Sequence, residues 1–88
     1  MKVNDFIINT DQQSAGCAAM TGVFTAADVR TALLAAGVPY SINDSLPASM
    51  RRVSDKWFVW EVANRLCQRE RKKGRIKSIK GRKWEAVL

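Results

Sequence analysis

Histidine is absent from the 88 residues. That removes the usual zinc-ligand sets and the commonest general base. Cysteine is scarce: Cys17 and Cys67 are too few for a disulfide framework. No secretory signal is read at the start, so a reduced, cytoplasmic setting is the expectation. No apolar run approaches the roughly 20 residues needed to span a bilayer, and a membrane role is not expected. There is no Gly-rich phosphate loop and no paired-carboxylate arrangement. Asp44 and Ser45 share a loop, but nothing supplies a base for a nucleophile. The expectation is a protein that is not an enzyme and needs no cofactor or metal.

Acid is what the C-terminal part lacks most. Residues 1–50 hold two bases, Lys2 and Arg30, against four acids, a net charge of −2. Residues 51–88 hold thirteen bases against four acids, a net charge of +9. Between Arg69 and Lys83 stand nine bases (Arg69, Arg71, Lys72, Lys73, Arg75, Lys77, Lys80, Arg82, Lys83) and a single acid, Glu70. Charge on this scale concerns partners and solubility rather than fold. The commonest polyanion a small basic protein meets is nucleic acid; an anionic membrane surface is the rival reading. The hydrophobic share of 47% is that of a globular chain, which excludes wholesale disorder. The length suits one domain with one modest core.

Residues 1–23 are the least readable segment. Val3, Phe6, Ile7 and Ile8 start either a helix or a short strand. Gly16 weakens a continuous helix over 3–20. The segment is a first helix, an arm for dimerisation or a disordered lead.

Thr25-Ala26-Ala27-Asp28 reads as a helix start, with Thr25 as cap and Asp28 in the first turn. Phe24 precedes the cap and is placed to staple onto Val29. Val29, Ala32, Leu33 and Ala36 then repeat at helical spacing, and Gly37 and Pro39 end the helix. Tyr40 to Ser49 is a loop, with Pro47 able to open a short helical segment near Met50.

Ser54 is the expected cap of the longest helix, residues 55–72. At 100° per residue, Val59, Val62, Ala63, Leu66 and Cys67 share one face, with Trp60 at its flank. Trp57, Glu61, Asn64, Arg65, Gln68, Arg71 and Lys72 share the other, with Phe58 at its border. Gly74 stops the helix. Two strands, 75–79 and 83–88, follow around Lys80-Gly81-Arg82, where Gly81 supplies a positive φ. Apolar Ile76, Ile79 and Trp84 anchor this hairpin while its bases project outward. Trp84, Ala86 and Leu88 share the strand face expected against the long helix.

Helix, turn, long helix, glycine and basic hairpin together resemble the winged helix-turn-helix family of DNA-binding domains. The matching pieces are Phe24-Thr25-Ala26-Ala27-Asp28-Val29, the helix from Ser54, Lys73-Gly74-Arg75-Ile76, and Lys80-Gly81-Arg82-Lys83-Trp84. The resemblance covers residues 24–88 and implies a mainly α fold with a small β-hairpin (α+β), three helices plus a C-terminal wing. It departs from the family at residues 37–53, a stretch longer than the tight turn between the paired helices, which is open to holding the second of them.

The resemblance implies double-stranded DNA binding by a small transcriptional or accessory regulator, nucleoid-associated, of a size that suits a phage or other mobile element. Helix 55–72 would enter the major groove, and the wing, 75–88, would lie on the backbone or minor groove. Lys56, Glu61, Asn64 and Arg65 become candidates for base contacts. Asn64 is suited to adenine, Arg65 to guanine and Glu61 to cytosine N4, although Glu61 and Arg65 are equally an i,i+4 ion pair. Arg69, Arg71, Lys72, Lys73, Arg75, Lys77, Lys80, Arg82 and Lys83 become backbone candidates. Trp57 is open to three roles: packing under the N-terminal segment, anchoring a homodimer or protein partner together with Phe58, or stacking on nucleic acid. Trp60 and Trp84 read as core. The alternatives in function are a protein-interaction module docking through Trp57 and Phe58, and RNA binding.

Overall fold

The computed structural model of the chain describes residues 1–87. It is an α+β fold. Strands β1 (Lys2–Val3) and β2 (Phe6–Ile7) form a hairpin. Helix α1 (Thr10–Ala18), strand β3 (Val23–Phe24) and helix α2 (Ala26–Ala35) follow. A 3₁₀ turn at Ala48–Met50 and the one-turn helix α3 (Val53–Lys56) precede the long helix α4 (Phe58–Lys72). Strands β4 (Ile76–Ile79) and β5 (Lys83–Ala86) complete the described chain.

The N-terminal segment holds a helix and also a hairpin the sequence reading did not assign. Asn4 and Asp5 both adopt positive φ, 48° and 66°. That is the backbone of a two-residue hairpin turn, and Asn and Asp are the non-glycine residues that tolerate it best. The turn lets Val3 and, further on, Ile8 reach the core, where both are fully buried. Asn9 then starts α1 through a reciprocal cap: its Oδ1 accepts from the Gln12 N–H at 2.8 Å, and Gln12 Oε1 accepts from the Asn9 N–H at 3.1 Å. Gly16 is a point of close approach. A Cβ built there would lie 2.8 Å from Leu66 Cδ1 and 3.1 Å from Leu33 Cδ2, so the missing side chain lets α1 settle against α2 and α4.

Helix α2 begins as its sequence implies. Thr25 Oγ1 accepts from the Asp28 N–H, and Asp28 Oδ2 accepts from the Thr25 N–H. Phe24 and Val29 are both in the core. Residues 37–53, open to holding a second helix, contain the 3₁₀ turn and the first residue of α3; α2 packs directly against α4.

The long helix differs from expectation at its start. It does not run unbroken from a Ser54 cap. Arg52 caps α3, and its N–H donates to Asp55 Oδ2 at 3.1 Å. The buried Asp55 carboxylate also accepts from Asn43 Nδ2 at 3.1 Å and Asn4 Nδ2 at 2.9 Å. The hydrogen bonds from Asn43, the Arg52 backbone and Asn4 outweigh burial and hold its carboxyl below the ordinary value. These bonds fix α3 to two separate turns, and the axis breaks at Trp57, whose φ and ψ are −117° and 40°. The Val59 N–H then donates to the Tyr40 carbonyl at 3.2 Å, which satisfies one donor of the new helix start.

From Phe58 on, α4 buries Val59, Val62, Ala63, Leu66 and Cys67, the face that periodicity identifies. Phe58 corrects the reading. It is fully buried, not at the border of an exposed face, and therefore is not a surface anchor for a partner. Phe58 is four residues before Val62 at the edge of the apolar stripe, and Phe6 from the β1–β2 hairpin covers that edge.

Strands β4 and β5 pair with Ile76 opposite Ala86 and Ile79 opposite Lys83. Gly81 takes φ 78° at the turn, and Arg82 follows at 58°. Strand β3 adds to the far side of β5, with Phe24 opposite Trp84, so β5 is central in a three-stranded sheet. Trp60 and Trp84 are partly buried against the core. Leu88, expected beside Trp84, lies outside the described residues.

Candidate nucleic-acid interface

The core-facing stripe of α4 dictates its opposite. Once Val59, Val62, Ala63 and Leu66 point inward, helical spacing turns Asn64, Arg65, Gln68, Arg71 and Lys72 to solvent, and all five are exposed. Glu61, Asn64, Arg65, Gln68, Arg69 and Lys72 line one shallow depression along this face. Arg65 Nε donates to Glu61 Oε1 at 2.8 Å, so these two candidates for base contact occupy each other in the unbound protein. Asn64 has no hydrogen-bond partner for its amide among the described residues. Arg71 Nε donates to Gln68 Oε1 at 2.9 Å, which orients its guanidinium without neutralising it.

Lys56 belongs to α3, before the break, and its ammonium lies 5.4 Å from the centroid of the Trp57 ring. It therefore sits apart from the α4 stripe, grouped with Arg51, Arg52 and Val53. Trp57 does not tuck under the N-terminal segment. It is 46% exposed, and Tyr40 meets its ring edge-on at 6.2 Å between centroids.

The bases at the end of α4 and on the hairpin fall into two groups. Arg69, Lys73 and Arg75 converge on Glu70, whose side chain is buried. Arg75 Nη1 lies 3.1 Å from Glu70 Oε1; Arg69 Nε and Lys73 Nζ lie 3.6 Å and 3.8 Å from Oε2. The Cys17 thiol donates to Oε1 at 3.4 Å. Burial pushes the Glu70 carboxyl up, but the Cys17 hydrogen bond and the three cations outweigh it and hold it below its ordinary value. Burial and the neighbouring carboxylate in turn raise the Cys17 thiol. Arg69 Nη1 also donates to Gln13 Oε1 at 2.6 Å, tying α4 to α1. Sequence reading counted Glu70 only as the lone acid in a basic run. Its position four residues after Leu66 and three after Cys67, on the apolar stripe, was the signal for a buried ion-pair hub.

The second group is uncommitted. Arg71, Lys72, Lys80, Arg82 and Lys83 are exposed and have no acidic partner among the described residues. Lys77 pairs with Glu85 across the hairpin at 3.2 Å. The hairpin turn thus carries three bases within four residues, Lys80 to Lys83, with unneutralised charge. Cations without an acidic partner, at a glycine turn and along the last helical turn, are suited to phosphate oxygens.

No helix among the described residues is long and apolar enough to cross a membrane. No family model, curated protein or solved structure matches this chain.

Proposed function

We propose that the protein is a small winged-helix regulator that binds double-stranded DNA sequence-specifically and performs no catalysis. Helix α4 occupies the major groove, and the β4–β5 hairpin lies on the flanking backbone or minor groove. The observation that carries this reading is the division of the basic residues. Three share the single carboxylate of Glu70, while Arg71, Lys72, Lys80, Arg82 and Lys83 are left exposed and without an acidic partner among the described residues. Self-repulsion among such bases lowers stability, and a phosphate backbone relieves it. The order α2, α4, Gly74 and hairpin supports the winged-helix reading, and the central place of β5 anchors the hairpin to the domain.

In this mechanism the hairpin and the end of α4 supply affinity that is blind to sequence. Asn64 and Arg65 read base edges, the second after exchanging Glu61 for a base. Lys56, set apart from the α4 stripe by the break at Trp57, drops out of the base-reading set. The test is competition. A labelled duplex is bound, then challenged with unlabelled duplex DNA and duplex RNA of equal length. Displacement by DNA well before RNA supports the reading; equal displacement by RNA contradicts it.

A protein-docking reading draws on one specific observation, the exposed Trp57 beside Tyr40. Phe58 takes no part in it, because it is buried.

A further inference from the structure

The formal charge of +7 belongs entirely to one part of the chain. Residues 58–88 hold ten bases and three acids; residues 1–57 hold five bases and five acids. A second copy approaching the α4 and wing face would meet its own unscreened positive charge. A copy approaching the charge-balanced part would not.

That balanced part carries an uncovered apolar surface. Val53 is 87% exposed, Met50 69% and Trp57 46%. Val53 and Trp57 line one shallow depression with Ala48, Arg51, Arg52 and Lys56, and Tyr40 braces the Trp57 ring from the side. Trp57 is held there by the chain break between α3 and α4 and not by a mobile loop end. A rigid exposed tryptophan with aliphatic neighbours is the composition of an interface centre.

The rim is charged with both signs. Arg52 Nη2 lies 3.1 Å from Asp5 Oδ2, and Arg51 Nη1 lies 3.5 Å from Asp44 Oδ1. Both acids are largely exposed and retain lone pairs facing solvent, while Lys56 has no acidic partner among the described residues. In an isologous contact every residue of one copy meets the same patch on the other, so a workable patch must hold both signs. An acidic partner protein or a polyanion needs no acid here, and Asp5 and Asp44 oppose it. We infer that the surface centred on Trp57 and Val53 is a two-fold interface with a second copy of this chain.

This inference goes beyond DNA binding and is tested without nucleic acid. Sedimentation velocity of the full chain is followed from low to high micromolar concentration. The mass is expected to climb from the 9.8 kDa of one chain to twice that value. Val53→Glu, at a position open enough to tolerate the change, is expected to hold it at one chain with unchanged circular dichroism. Trp57→Ala is expected to do the same. A single-chain mass at every concentration would overturn the inference, as would association that the Val53→Glu and Trp57→Ala variants leave intact, or growth beyond two chains.

Discussion

The Phe6 ring meets the Phe58 ring edge-on, with centroids 5.2 Å apart and planes inclined at 65°. One ring comes from a two-residue strand near the start of the chain and the other from the first turn of the long helix. Their contact makes the N-terminal hairpin part of the domain's core. Phe58→Ala is expected to destabilise the fold by about 3–5 kcal/mol, the usual cost of emptying a buried aromatic site. The neighbouring Trp57→Ala, at a half-exposed position, is expected to cost about 1 kcal/mol or less. Urea unfolding of the two variants separates the roles of these adjacent aromatics.

Gly16→Ala sets two effects against each other. Alanine gains up to about 1 kcal/mol in helix propensity. Its methyl, however, would press on Leu66 Cδ1 and Leu33 Cδ2, both on fully buried side chains. Overpacking of this kind costs about 1–3 kcal/mol, so net destabilisation is expected and a lowered melting temperature checks it. A glycine read from the sequence as a weakness in α1 is what allows α1 to dock.

The Glu70 hub predicts a pH dependence. Its folded carboxyl lies below the ordinary value, so its contribution is fully present above the unfolded pKa, about 4.3 for glutamate. The contribution is lost as pH falls through the folded value. Asp55 behaves in the same sense. Stability should therefore decline below about pH 4.5, and Glu70→Gln should flatten that decline. At neutral pH Glu70→Gln is expected to cost about 1–2 kcal/mol, well below the loss for a sealed ion pair, because Lys73 and Arg75 are exposed and can turn to water. Chemical denaturation across a pH series checks both.

The thiols should differ from ordinary cysteine. Burial, with Cys17 nearby, pushes Cys67 up to about 11. Its raised folded value means stability is lost as pH climbs above the ordinary thiol range toward 11, where the unfolded chain ionises first. At neutral pH an alkylating probe should label Cys67 only through opening of the fold, and much more slowly than Cys17.

Periodicity and turn chemistry made much of the fold legible. The 100° stripe placed Val59, Val62, Ala63, Leu66 and Cys67 inside, Thr25 and Asp28 marked a helix start, and Gly81 marked the hairpin turn. What escaped depended on contacts distant in sequence. The break at Trp57 follows from Asp55 being held by Asn4 and Asn43, which no local pattern announces. Phe58 was misplaced because its cover, Phe6, comes from a hairpin whose Asn4-Asp5 turn is short and whose strands hold two residues each. Strand β3 was missed for the same reason: two residues carry no alternation to read. In the candidate site, the basic character of α4 and the hairpin was legible, but its partition was not, since only the fold brings Arg69, Lys73 and Arg75 onto Glu70.

Base contacts separate from backbone contacts by their sequence dependence. Asn64→Ala is expected to relax preference at one base position of a selected site and cost about 1–3 kcal/mol on that site alone. Site selection with the variant protein, compared with the unaltered chain, checks this.

Double-stranded DNA binding is checked by fluorescence anisotropy with a duplex of about 25 base pairs, long enough for one domain, across a salt series. Five unpaired bases, Arg71, Lys72, Lys80, Arg82 and Lys83, predict a log–log slope near −4.5, at about −0.9 for each phosphate contact. Lys80→Ala with Arg82→Ala should bring it toward about −2.7 and weaken binding on every sequence alike. A chain that fails to bind at low salt would contradict DNA binding, and a slope the wing pair leaves unchanged would contradict contact through the wing.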